Sequence, residues 1–193
     1  MEVLEAIKTR RSIRRHKPDP IDDKTLETVL EAARWAPSWS NTQCWRFIVV
    51  RDSGIKIKLA NILNKIKRED KLLDNPATKA MLNTPVIIVA CAELGKAGYR
   101  SDGTPATDKG DWYMFDVALA MQNLVLAAHA LGLGTVIVGA FDASKAAEIL
   151  GLPEGFCVVA MTPLGFPEHE GKAPPRKELS EIVFYDKYGE YGH

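Results

Sequence analysis

DWYMFDVALAMQNLVLAAHAL, residues 111–131, decides the kind of fold this chain makes. Apolar side chains fall on nearly every face of the helix it predicts, so that helix must be central and packed on several sides. Asp116, Gln122, Asn123 and His129 interrupt the run, which argues against a membrane span. Gly132 predicts a left-handed helix end. His129, one turn earlier, reads as a core histidine near the carbonyl end.

Downstream of that helix, Thr135–Ala140 reads as a strand, Asp142 caps a short helix to Leu150, and Phe156–Leu164 is a further strand. Upstream, Val86–Ala92 is continuously apolar and β-branched, the pattern of a strand buried on both faces. Between the two lies 93–110, a glycine-containing loop that is either functional or simply flexible. Val3, Leu4 and Ile7 mark a short amphipathic helix. Leu26, Val29, Leu30 and Ala33 mark a second, capped by Asp22, stapled by Ile21 onto Leu26 and stopped by Pro37. Phe47–Val50 reads as a strand, 55–66 as a third helix, 67–78 as a charged mobile connection and Ala77–Leu82 as a short helix. Alternating helices and strands suggest by themselves a parallel α/β sheet.

With 193 residues the chain is read as one domain, 1–193, whose segment 166–193 is a proline-rich, polar tail carrying one apolar cluster at Leu179, Ile182, Val183 and Phe184. Charged residues make up 26% and hydrophobic residues 46%, and 25 basic residues balance 25 acidic ones. No global field favours nucleic acid or anionic lipid, so basic clusters need local explanations. Cys44, Cys91 and Cys157 have neither metal nor CxxC spacing, which points to a reducing cytoplasm. Cys91 and Cys157 read as small core residues. His16, His169 and His193 lack partners at metal spacing, so no metal is expected.

Two stretches carry the chemistry. RRSIRRH, 10–16, sets arginines beside a serine, suited to bidentate grip of a phosphate or else a solvated basic helix end. PSWSNTQCW, 37–45, sets Ser38, Ser40, Asn41, Thr42 and Gln43 beside Trp39 and Trp45. Its polar groups suit a heterocycle's rim, or else bond their own backbone; exposed tryptophans in such a loop pack on something. Gly139, after a β-branched run, marks close approach by a ligand or another chain.

In order along the chain, RRSIRRH, APSWSNTQCW, QNLVLAAHALGLGT, VGAFD, PLGFP and PPRKELSEIV coincide with landmarks of a known family. The chain resembles the FMN-dependent nitroreductases from its N-terminus to about residue 185. The resemblance implies an α+β fold, a mainly antiparallel central sheet flanked by helices, in an intertwined homodimer with FMN at the subunit interface. Helix 111–131 would form much of that interface, and the tail would reach over the partner.

By the same resemblance Arg10 and Ser12 hold the FMN phosphate, Arg11 assists through its backbone, and Arg176 reaches the phosphate from the tail. Arg14 points at the pyrimidine edge. Pro37, Ser38, Trp39 and Asn41 come from the other subunit, with Gln43 supporting the loop, and Val138 and Gly139 lie under the isoalloxazine. No side chain is catalytic, because the flavin carries the chemistry. NADH or NADPH is the implied donor in a ping-pong cycle, and nitroaromatics, quinones or flavins are the implied planar acceptors. The alternatives are a specialised flavin enzyme (dehalogenation or flavin breakdown), for which 93–110 is the one candidate lid, and a non-catalytic FMN- or nucleic-acid-binding protein. Cys44 and Ile137 stand where the family usually has proline and often tryptophan.

Overall fold

A computed structural model, described for residues 1–191, runs α1 (Val3–Thr9), α2 (Asp23–Arg34), β1 (Trp45–Val50), α3 (Ser53–Asn61), β2 (Ile66–Arg68), β3 (Lys71–Leu73), α4 (Thr78–Asn83), β4 (Val86–Glu93), α5 (Tyr113–Ala130), β5 (Gly134–Thr135), α6 (Ala143–Leu150) and β6 (Phe156–Gly165). His193 lies outside the described residues.

The central strand is β4, and its period-2 alternation builds two cores. Val86, Ile88, Ala90 and Ala92 face one core with α2 and α5. Ile87, Val89 and Cys91 face the other with α3, α4 and α6. Both Ile87 and Ile88 are fully buried, each worth roughly 1.5–3 kcal/mol relative to exposure. The main sheet has the order β1-β4-β6-β5, every neighbour antiparallel. The parallel sheet suggested by alternation alone is therefore corrected, and the α+β architecture implied by the resemblance is what the chain forms.

The caps at Asp22 and Asp142 are made as expected: their carboxylates accept from Thr25 N–H and Lys145 N–H. Gly132 takes φ +78° after α5, the expected left-handed end. Other expectations fail for tertiary reasons. The third helix stops at Asn61, because Leu63 bridges Phe141 and Asn64 N–H donates to Ala140 O at 2.9 Å. The connection expected over 67–78 instead contains the hairpin β2–β3, turned by Glu69 and Asp70 at φ 46° and 61°. Two left-handed residues suit such a turn, yet Glu-Asp lacks the glycine that announces one. The strand expected over Thr135–Ala140 is interrupted: only Gly134–Thr135 pairs continuously with β6, and Val138 bridges Met161 separately.

Among the described residues, apolar side chains of α1, α5 and the tail are left bare. Val3, Leu4 and Ile7, the stripe that marked α1, are exposed, and α1 buries only Ala6. Helix α5 buries one face, from Asp116 to Ala128, while Met114, Phe115 and the C-cap Leu131 stay exposed. The expectation that it is enclosed on several sides is met on one side by this chain. The tail contains a short turn, Leu179–Glu181, with Leu179 and Ile182 also exposed.

Candidate functional site

RRSIRRH starts at the C-cap of α1, as expected, and then runs extended along the sheet edge. α1 closes at Thr9, and Arg10 leaves it at ψ 132°. Ser12 then bridges Thr135 in parallel, and Ile13 N–H donates to Thr135 O at 2.8 Å. Further on, Lys17 N–H donates to Phe166 O and Glu168 N–H to Arg15 O. This approach requires glycine at 134, where a Cβ would stand 2.8 Å from that of Ile13. The buried His16 donates through Nε2 to Gly134 O at 3.2 Å, and burial holds its pKa below the ordinary value. Backbone pairing thus fixes the segment and leaves Ser12, Arg14 and Arg15 exposed.

The freed side chains meet the tail. Arg10, Ser12, Arg14 and Arg15 line a cleft of about 820 Å³ with Lys172 and Arg176, and no carboxylate lies on its walls. Among the described residues none of these cations has an acidic partner. Burial, then Arg11 and Arg176, push the Arg10 pKa down, the mark of cations crowded without an anion. The Arg11 guanidinium donates through Nη1 to Lys8 O and Arg10 O at 2.7 and 2.8 Å, and Arg11 also lines the cleft. Gly171 seats the tail here, since a Cβ would stand 2.5 Å from that of Arg11. Convergent unpaired guanidiniums and a hydroxyl fit the phosphate of FMN, and the volume suits a small-molecule site.

Next along the edge, Val138 and Gly139 behave differently. Val138 is buried, and its N–H and C=O are both spent on Met161. A Cβ on Gly139 would meet nothing within 4 Å, and neighbouring Ile137 is exposed. Gly139 therefore faces open space rather than its own chain, which a flat ring can use.

The loop 37–45 is held otherwise. Ser40, Asn41 and Gln43 take φ 43°, 58° and 47°, an unusual run for residues other than glycine. Gln43 N–H donates to Ser38 Oγ, and Gln43 Nε2 to Asn41 Oδ1. Beneath them lies the Asp116 carboxylate, 1% exposed, accepting from Trp39 N–H at 3.0 and 3.1 Å. Burial raises its pKa, opposed by that bond. Cys44 Sγ lies 3.8 Å from the same carboxylate, and burial, then Asp116, push the thiol up to about 11, which suits packing and not a nucleophile. Trp39 packs tilted on Trp112 at 5.3 Å, whereas Trp45 is a core residue and not an exposed aromatic. Pro37, Asn41 and Gln43 remain exposed.

Clamp and loop do not meet within one chain. The loop is anchored on Asp116, near the start of α5, and the clamp lies beside His129, near its end. Those two residues are roughly 20 Å apart along the helix at about 1.5 Å per residue. The structure gathers Arg10, Ser12, Arg14 and Arg176 at one end and Ser38, Trp39, Asn41 and Gln43 at the other.

Sequence reasoning missed two residues. Asp116 counted only as a break in an apolar run, although a lone carboxylate in such a helix needs a partner. His129 is half-buried beside a second cavity of about 670 Å³ and not in the core. Cys157, likewise expected in the core, is only half-buried. Among the described residues there is no group of three metal-ligating side chains, and no helix is long and apolar enough to cross a membrane.

The profile of the Nitroreductase family matches residues 7–166. The NADH dehydrogenase of Thermus thermophilus is 30% identical, over 91% of this chain and 92% of that protein. A solved nitroreductase family protein from Clostridium novyi NT is 35% identical at a TM-score of 0.73, covering 99% of this chain and 97% of its own. The NADPH:FMN oxidoreductase from Vibrio harveyi, solved in complex with NAD+, is 26% identical at a TM-score of 0.79, covering 98% and 79%.

Proposed function

The chain belongs to the nitroreductase family, and from that premise we propose that it is a homodimeric, FMN-bearing NAD(P)H oxidoreductase whose two sites are each built from both chains. Its general class, an NAD(P)H-dependent flavin oxidoreductase, follows from the family and its relatives. The assignment of residues is our own reading.

In that reading Arg10, Ser12 and Arg176 hold the FMN phosphate, with the Arg11 backbone alongside. Arg14 places a fixed positive charge at the pyrimidine edge, where reduction builds negative charge. Gly139 and the backbone at Val138 leave a flat floor for the ring. The partner subunit supplies Pro37, Ser38, Trp39 and Asn41, kept in place by Gln43 and by Asp116 underneath. FMN held there would supply two-electron chemistry between NADH or NADPH and a second substrate, in a ping-pong cycle. The side chains bind, orient and neutralise; none needs to act as nucleophile or general base.

The observation that carries this reading is the cleft in which unpaired arginines and Ser12 converge with no carboxylate on its walls. The separation of clamp from loop along α5 supports the shared site, and the bare stripes of α1 and α5 support the dimer. The second substrate is a planar, electron-poor molecule such as a nitroaromatic, quinone or free flavin, and neither nucleic acid nor membrane is a partner. The chain is one domain, 1–193, whose tail from 166 extends over the partner, in a reducing cytoplasm that keeps its three cysteines free.

Purified protein loaded with FMN is expected to be yellow and to bleach anaerobically on addition of NADH or NADPH, recovering with a quinone. Protein that takes up no FMN, or stays yellow with both donors, contradicts the proposal.

A further inference from the structure

Helix α1 presents a mechanical problem that the phosphate clamp inherits. It has seven residues, too few to be stable alone, and it buries only Ala6. Its acidic and basic side chains make no ion pair among the described residues. Yet Arg10, the next residue, has to be placed with precision if it is to grip an anion. The one hydrogen bond in the described residues that ties α1 to a distant element joins Thr9 to His129 of α5, Oγ1 to Nε2 at 2.8 Å. The Thr9 hydroxyl donates its own proton to Glu5 O at 2.7 Å, so its oxygen accepts and His129 Nε2–H donates. That fixes the tautomer.

We infer that His129 is a positioning residue for the phosphate clamp: through the Thr9 hydroxyl it pins the end of α1 to the buried helix α5 and so sets where Arg10 leaves toward the cleft. The inference rests on the reading of Arg10 as a phosphate ligand. It adds a component that touches neither phosphate nor ring, and it gives the long helix a second duty at the end opposite Asp116.

The surroundings of His129 make its charge sensitive to the clamp. Glu5 faces it from α1, with Arg10 and Arg11 just beyond, and Met1, Glu168, His169 and Glu170 line the same cavity. Burial, then Arg10 and Arg11, lower its pKa, opposed by Glu5. An anion in the clamp offsets both arginines, so an imidazolium is tolerated better when phosphate is bound. Phosphate binding therefore favours the protonated His129, a gain that works against the loss of charge as the phosphate itself protonates near about pH 6. Either protonation state keeps the Nε2–H bond to Thr9.

Flavin-fluorescence titration of the full chain with FMN and with riboflavin, which lacks the phosphate, tests this. Thr9→Val and His129→Leu are each expected to weaken FMN about fivefold, as loss of one hydrogen bond implies, and to leave riboflavin within about twofold. Thr9→Ser and His129→Gln, which keep the bond, should hold FMN within about twofold at pH 7.5. Between pH 8 and 6 the preference for FMN over riboflavin should hold up better in the native chain than in His129→Gln, the phosphate's own protonation being common to both. Unchanged FMN affinity in both Thr9→Val and His129→Leu, or equal losses for FMN and riboflavin, would overturn the inference. A native chain that binds riboflavin as tightly as FMN would instead overturn the phosphate assignment itself.

Discussion

The clamp at 10–16 and the loop at 37–45 are both polar, both short and both anchored to α5, yet they are built on opposite principles. The clamp is relaxed in backbone and unsatisfied in side chain. Its backbone pairs with Thr135 and Glu168, while its guanidiniums face a cleft without a counter-charge. The loop is strained in backbone and self-satisfied in side chain, with consecutive left-handed residues held by Ser38, Asn41 and the buried Asp116. The first arrangement waits for an anion, whereas the second holds a shape. A ligand gripped at one end by charge and bounded at the other by a preformed wall needs both, and a single chain keeps them at opposite ends of one helix.

That contrast predicts different losses. Arg10→Ala combined with Ser12→Ala should weaken FMN by roughly a hundredfold while leaving riboflavin nearly unchanged, because only charge-assisted bonds to phosphate are removed. Affinity for FMN within twofold of native would break the clamp assignment. Asp116→Ala frees the loop without touching the clamp, so FMN and riboflavin should both weaken, by roughly tenfold, in equal proportion. A loss confined to FMN would erase the distinction between the two regions.

The smallest expected effect concerns pH. His16 anchors the clamp backbone and His129 lies behind it, and burial lowers the pKa of both. A histidine held below its unfolded value binds fewer protons folded than unfolded, so stability is fully present above about pH 6.5 and declines as pH falls toward the folded pKa values. The urea midpoint should therefore be lower at pH 5.5 than at pH 7.5, and bound FMN should narrow that gap by favouring the charged form of His129. A midpoint that rises on acidification would contradict the sign.

How much of this was legible in the sequence follows from how local each signal is. Strand β4 could be read directly, because alternation between two cores demands an unbroken apolar run, and the caps at Asp22 and Asp142 need only their next turn. Strand direction is set by distant pairing and could not be read; it came only through resemblance. The third helix was overestimated because its last apolar residues serve the pairing with 140–141, and the β2–β3 hairpin was missed because its turn uses Glu-Asp. In the site, the residue types were visible but their anchors were not. Asp116 and His129 act on segments 77 and 120 positions away, and no spacing rule reaches that far.

The central claim, that one chain's clamp completes its site with the other chain's loop, is tested most directly by a mixed dimer. Arg10→Ala/Ser12→Ala chains and Asp116→Ala chains, carrying different tags, are co-expressed, and the mixed species is isolated and titrated with FMN. A site shared between chains pairs an intact clamp with an intact loop on one side only, so half the FMN should bind with native affinity and half far more weakly. If each site lay within one chain, every site would carry a defect, and the absence of any native-affinity binding would contradict the account.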